Sequence, residues 1–243
     1  MTVRASITTR GAALAACLLS FGCGKGDAPP AAPTQAPAKA PARDERASIG
    51  AESEIGGLDE DRVKRAFEKA APAISACFDR GVERIPFLRG DVAFKLRIAR
   101  DGATRWAYVK DSTLGDRKTE ACMLDVLKGV SWPRPLGGEG LAENSFSFEP
   151  GGDAAKPVDW SPAQLGASLA TTQSELSRCR RKAGTGKLKA TLYVAPDGKP
   201  RAVGVSTADE RGEPAASCVV EAINTMTFPS PDGPAAKVTV SSD

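Results

Sequence analysis

Six cysteines and no histidine set the chemistry open to this chain of 243 residues. Histidine supplies most zinc sites and most general-base triads, so the commonest catalytic designs are missing, although other designs remain open. Cys17 and Cys23 lie near the N-terminus, and Cys77, Cys122, Cys179 and Cys218 lie further on. Four cysteines allow three pairings. A zinc site built from four thiolates wants close cysteine pairs, and a thioredoxin-like redox site wants Cys-x-x-Cys; neither pattern occurs. Carboxylates are scattered, and no nucleophile–base arrangement or phosphate-binding glycine loop stands out. We therefore expect no enzyme, no cofactor and no metal.

Charge narrows the partners. The net charge is +3, and Arg4 and Arg10 at the N-terminus supply two of those charges. The rest of the chain is near neutral, whereas nucleic-acid binders carry the basic surplus that releases counterions. Nucleic acid is not an expected ligand. Hydrophobic residues make up 41% of the chain, enough for packed cores.

A duplication chooses among the cysteine pairings. Gly90, Leu96, Asp101-Gly102, Arg105, Val109 and Cys122 recur 96 positions later as Gly186, Leu192, Asp197-Gly198, Arg201, Val205 and Cys218. Pro133 and Pro135 recur as Pro229 and Pro231, and Trp132 and Phe228 are both aromatic before the first proline. Upstream the offset is 102, so that Val63, Phe67, Ile74 and Cys77 match Leu165, Leu169, Leu176 and Cys179. The period is too long for a solenoid and fits two small domains. Pairing within each copy gives Cys77–Cys122 and Cys179–Cys218. Each bridge would be worth roughly 4 kcal/mol in the chain-entropy model, which matters for modules of about 90 residues with thin cores.

The elements that carry these residues repeat as well. Val63, Phe67, Ala70, Ile74 and Cys77 share one face at helical spacing, with Pro72 expected to kink or divide the helix. Val92, Phe94, Leu96 and Ile98 alternate as a half-buried strand, and so do Leu188, Ala190, Leu192 and Val194. Asp-Gly then predicts a two-residue type I′ hairpin turn. Residues whose numbers sum to 203 would face each other across the first hairpin. Ala107 and Val109, or Val203 and Val205, point inward on the second strand. A second helix carries Cys122, Val126, Leu127 and Val130, or Cys218, Ala222, Ile223 and Met226, and the aromatic-Pro pair should stop it. A last strand holds Phe146 and Phe148, or Val238 and Val240. Ser161 and Pro162 read as an N-cap and first-turn proline. Arg178, Arg180, Arg181 and Lys182 read as a solvated helix end, with an anionic-ligand site as the alternative.

The front of the chain reads as an address. Residues 1–22 combine two arginines with an apolar run of about a dozen residues, too short to span a bilayer and long enough for a signal peptide. Leu19-Ser20-Phe21-Gly22-Cys23 resembles a bacterial lipobox, with Cys23 as the lipidated residue; Cys17 is the alternative, and a soluble secreted protein the other. Residues 23–57 give the anchor and an Ala/Pro-rich tether. Module 1 is expected over 58–149, a linker over 150–159 and module 2 over 160–243. Export to an oxidising compartment suits structural disulfides.

Helix-Cys, strand, Asp-Gly, strand, Cys-helix, aromatic-Pro-x-Pro, strand resembles the C-terminal domain of TonB-type proteins. More specifically it is similar to the AgmX/PglI C-terminal family of myxobacterial envelope and gliding proteins. The resemblance covers about 58–149 and 160–241. It implies an α+β fold of two TonB-like modules, each α-β-β-α-β, with two helices against one face of a three-stranded antiparallel sheet. It implies binding through an exposed strand or face, with no catalytic residues. TonB-type transducers carry an inner-membrane helix, which a lipobox-like leader replaces here, so a binding or scaffold role is expected rather than energy transduction.

The open sheet face of module 1 offers candidate binding residues. Arg97 meets Trp106 and Lys95 meets Tyr108 across the hairpin, whereas module 2 has Tyr193 opposite Ala202 and Thr191 opposite Gly204. Arg97, Trp106 and Tyr108 make a cationic-aromatic surface for a partner or for the other module; plain cross-strand stabilisation is the alternative. The expected protein is a lipid-anchored envelope protein at the outer membrane, facing the periplasm, that binds other envelope proteins. A passive periplasmic spacer is the second reading.

Overall fold

The computed structural model describes residues 56–242, which belong to one compact unit. Over these residues it is an α+β protein with four α-helices and two sheets. The first half runs α1 (Glu60–Arg84), β1 (Gly90–Ile98), β2 (Thr104–Ser112), α2 (Arg117–Lys128) and β3 (Gly140–Phe148). The second runs β4 (Val158–Trp160), α3 (Ser168–Ala183), β5 (Leu188–Val194), β6 (Pro200–Thr207), α4 (Ala215–Asn224) and β7 (Ala236–Ser241).

Local chemistry explains the helix ends. Asp59 caps α1 by accepting from the Arg62 amide at 2.9 Å, with Glu60 and Asp61 in the first turn where the helix dipole favours acids. Asp116 caps α2 through the Thr119 amide. Contrary to expectation, α1 runs unbroken through Pro72. Proline removes one amide, but Phe67, Ala70, Ile74 and Cys77 bury the same face on both sides of it. Helices α2 and α4 stop at Lys128 and Asn224, before the aromatic-Pro pairs expected to end them.

Those aromatics do a different job. The Trp132 amide donates to the Gly102 carbonyl at 2.9 Å, and the Phe228 amide to the Gly198 carbonyl at 2.8 Å, so each clamps its hairpin tip. A Cβ on Gly102 would lie 2.5 Å from the Trp132 carbonyl oxygen. The turn itself is longer than a type I′ turn. Ala99 and Ala103 close it, Gly102 has φ 88°, and no non-glycine residue among those described has positive φ. A β-bulge beside Arg97 then restores the expected pairs, Leu96 with Ala107 and Phe94 with Val109.

The first sheet has the order β2-β1-β3, all antiparallel. The second differs from the three-stranded expectation. Its order is β4-β7-β5-β6, because Val158–Trp160, placed partly in a linker by the sequence, adds in parallel to β7. Two apolar clusters form, one around Phe78, Phe94 and Phe146 and one around Leu176, Leu192 and Val205. Cys77 is bonded to Cys122 and Cys179 to Cys218, tying α1 to α2 and α3 to α4.

Candidate functional site

The cationic-aromatic face lies where β1 and β2 pair, with Arg97 opposite Trp106. Arg97 and Arg105 both ion-pair with Glu139, and chiefly the Arg105 hydrogen bond holds that carboxyl below the usual range. Trp106 is half-buried, its ring 5.6 Å from that of Tyr108. Tyr108 itself is only 3% exposed, and its hydroxyl donates to the Ala208 carbonyl of the second half at 3.4 Å. Burial, with Glu210 and Asp209 nearby, raises its pKa. Of the three candidates, Tyr108 thus touches the second half, and Trp106 and Arg97 retain partial exposure.

A larger seam between the halves was not foreseen. It is built by the outward face of β5 and β6 meeting the end of β2 and the start of α2. Tyr193 is fully buried here and joins the first apolar cluster together with Ala202. Its hydroxyl donates to the Arg89 carbonyl at 2.9 Å and accepts from the Arg89 amide at 3.1 Å. Lys237 also donates to the Arg89 carbonyl, at 2.8 Å, and lies 5.7 Å from the Tyr193 ring centre. Burial lowers the pKa of Lys237. Thr191 donates to the Ser112 carbonyl at 3.1 Å, and ion pairs Arg117–Glu213 and Lys189–Asp111 flank the contact.

Glu120 sits at the middle of this seam with no exposed surface. Ser112 donates to one carboxyl oxygen at 2.6 Å, and the Val205 amide of the second half donates to the other at 3.0 Å. Burial pushes its pKa up to about 7, against the pull of those two bonds and of Arg117. Its two hydrogen bonds join α2 and β2 to β6 across the seam. Gly204 lets it approach: a Cβ there would lie 2.4 Å from Glu120 Oε1 and 2.7 Å from the Gly115 Cα. The sequence carried a faint signal of this, a glycine in mid-strand opposite Thr191, which marks close approach of another backbone.

The edge of the first sheet is the other feature that could serve binding. β3 pairs with β1 along all nine residues, and among the described residues no segment pairs with its other side. Asp91 turns both its backbone groups toward the β2 side, where they meet Thr113. Alternation then turns Val92, Phe94 and Leu96 toward β3, and on β3 it turns the amides of Leu141, Glu143, Ser145 and Ser147 outward. Their side chains are exposed, whereas Ala142, Phe146 and Phe148 face the core. The matching edge of the second sheet, β7, already carries β4, with Val158 opposite Ala236 and half-buried Trp160 opposite Val238. In the first half, Leu58 covers Gly140, while Gly56 and Gly57 bond to Glu139 and Leu136.

Among the described residues no cluster of three His, Cys, Asp or Glu side chains is placed to hold a metal, and no helix is long and apolar enough to cross a membrane. Cys17, Cys23 and the leader lie outside the described residues. No family model matches the chain, no curated protein matches it, and no solved structure matches its fold.

Proposed function

We propose that the protein is a non-catalytic envelope lipoprotein, anchored through Cys23, whose two TonB-like modules bind an envelope protein by strand addition at β3. The free outer edge of β3 carries this reading. Four outward amides with their carbonyls give an extended peptide its hydrogen bonds, and the exposed side chains of the same four residues select sequence. The parallel addition of β4 to β7 supports it, because the same type of edge already accepts an extended segment within the chain. The matched element order, the two bridges and the clamped Asp-Gly tips support the resemblance to the AgmX/PglI C-terminal family. The Ala/Pro-rich stretch acts as tether between anchor and modules, at the outer membrane and facing the periplasm.

Ser145→Pro tests the reading. It deletes an outward amide without breaking a bond to β1, so the fold should persist. Crosslinking and mass spectrometry from native envelopes should recover a partner at residues 141–147 of the unaltered protein and lose it in the variant. Recovery of the same crosslinks from both proteins would refute strand addition. A passive spacer predicts no specific crosslink at this edge.

A further inference from the structure

Helix α1 presents a second surface that neither the seam nor the β3 edge uses. Arg62, Arg65 and Lys69, with Ala66, Ser131, Trp132 and Pro133, line an open, shallow groove of about 530 Å³. At 100° per residue the three cations fall within an arc of about 60°, and Glu60, Asp61 and Glu68 fall outside it. All three cations are exposed, and no ion pair or side-chain hydrogen bond joins them to another described residue. Trp132, which also lines the groove, is buried, and its indole N–H donates to Thr104 Oγ1 at 2.9 Å.

Two further observations orient this groove. Leu136 is 82% exposed, the most exposed large apolar residue described. It pairs with Gly57, where the chain from residues 24–55 enters the fold, a few residues before Arg62. Unpaired cations, one protruding leucine and the entry of the N-terminal segment therefore gather at one end of the first half. We infer that this end docks on an anionic phospholipid surface, with the three cations over the head groups and Leu136 at their boundary with the acyl chains. The inference rests on the proposed anchor only for proximity: residues 24–55 would join Cys23 to the end of the fold that carries the groove. Three basic side chains at such a surface strengthen partition by roughly a hundredfold, and salt weakens it.

Amine labelling of Lys69 in the full chain tests this, with exposed Lys187 and Lys199 as internal references. The probes are vesicles of phosphatidylcholine alone and vesicles with about a third phosphatidylglycerol. Labelling of Lys69 should fall at least fivefold on the anionic vesicles only and recover in half-molar salt. Arg62→Gln with Arg65→Gln should abolish the protection while the references stay unchanged. Equal labelling of Lys69 on both vesicles overturns the docking, even where the chain sediments with both through its anchor. Protection on anionic vesicles without sedimentation on neutral ones removes the anchor and leaves the docking standing. Stronger protection by an acidic peptide than by the anionic vesicles overturns the lipid assignment.

Discussion

Replacing Glu120 with glutamine should flatten the dependence of stability on pH. The carboxyl is buried at the seam and its pKa rises from 4.5 to about 7 on folding. Between those values the folded state holds a proton that the unfolded state has released. Stability must then fall as pH rises through this window, and level off above it. Each tenfold change in proton affinity is worth ~1.4 kcal/mol, so the full fall is about 3 kcal/mol. Asp116 and Arg117 face Glu120 from its own helix and pull in opposite directions. Asp209 does not confuse the window. Burial opposes its charge, but bonds from Arg211, the Gly186 amide and Thr185 outweigh burial and bring it down to about 2. Its contribution is present above its usual range and is lost only as pH falls toward 2. Glutamine keeps an acceptor for the Val205 amide and cannot ionise. Urea unfolding from about pH 5 to about pH 8 reads the effect. The unaltered protein should weaken across that range, and the variant should hold constant and exceed it at the alkaline end. Stability that is level or rising in the unaltered protein, or an equal slope in the variant, would refute the reasoning.

Other perturbations separate the seam from the cores. Gly204→Ala should wedge the halves apart at a cost of about 1–3 kcal/mol, because its Cβ meets Glu120 and the Gly115 backbone; faster hydrogen exchange at Arg89 and Val205, with both bridges intact, is the expected signature. Tyr193→Phe leaves the Arg89 amide without its partner, for about 1–3 kcal/mol in urea unfolding. Cys179→Ala with Cys218→Ala should lower stability by up to about 4 kcal/mol, and exchange should rise over α3 and α4 more than over α1. Globomycin-sensitive palmitate labelling tests Cys23, and unlabelled mature protein would remove the anchor.

Much of each core was legible in the sequence. Strict alternation placed Phe94, Leu96, Val203 and Val205 inside, and the repeat placed the two bridges. The hairpin register survived a wrong turn type, since a longer turn plus a one-residue bulge keeps the same side chains inward. Other features were hidden for physical reasons. Glu120 reads as an ordinary helix acid, because nothing local says that a second sheet will cover it. Tyr193 alternates correctly, but alternation names a face without naming what packs on it. β4 is three residues long, too short for periodicity to register. Trp132 reads in the sequence only as part of a helix stop, because its clamp on Gly102 depends on a backbone bond between segments about thirty residues apart.

The two bridges also decide how the molecule responds to tension. They enclose sequence separations of 45 and 39 residues. At about 3.4 Å per residue, roughly 280 Å of contour cannot be drawn out by stretching the chain from its ends. β1 and β2 lie inside the first enclosure, and β5 and β6 inside the second, so both hairpins and the strands of the seam are fenced off. β3, β4 and β7 lie outside. A steady pull would strip those outer strands first and leave a looped remnant of two joined hairpins able to snap back.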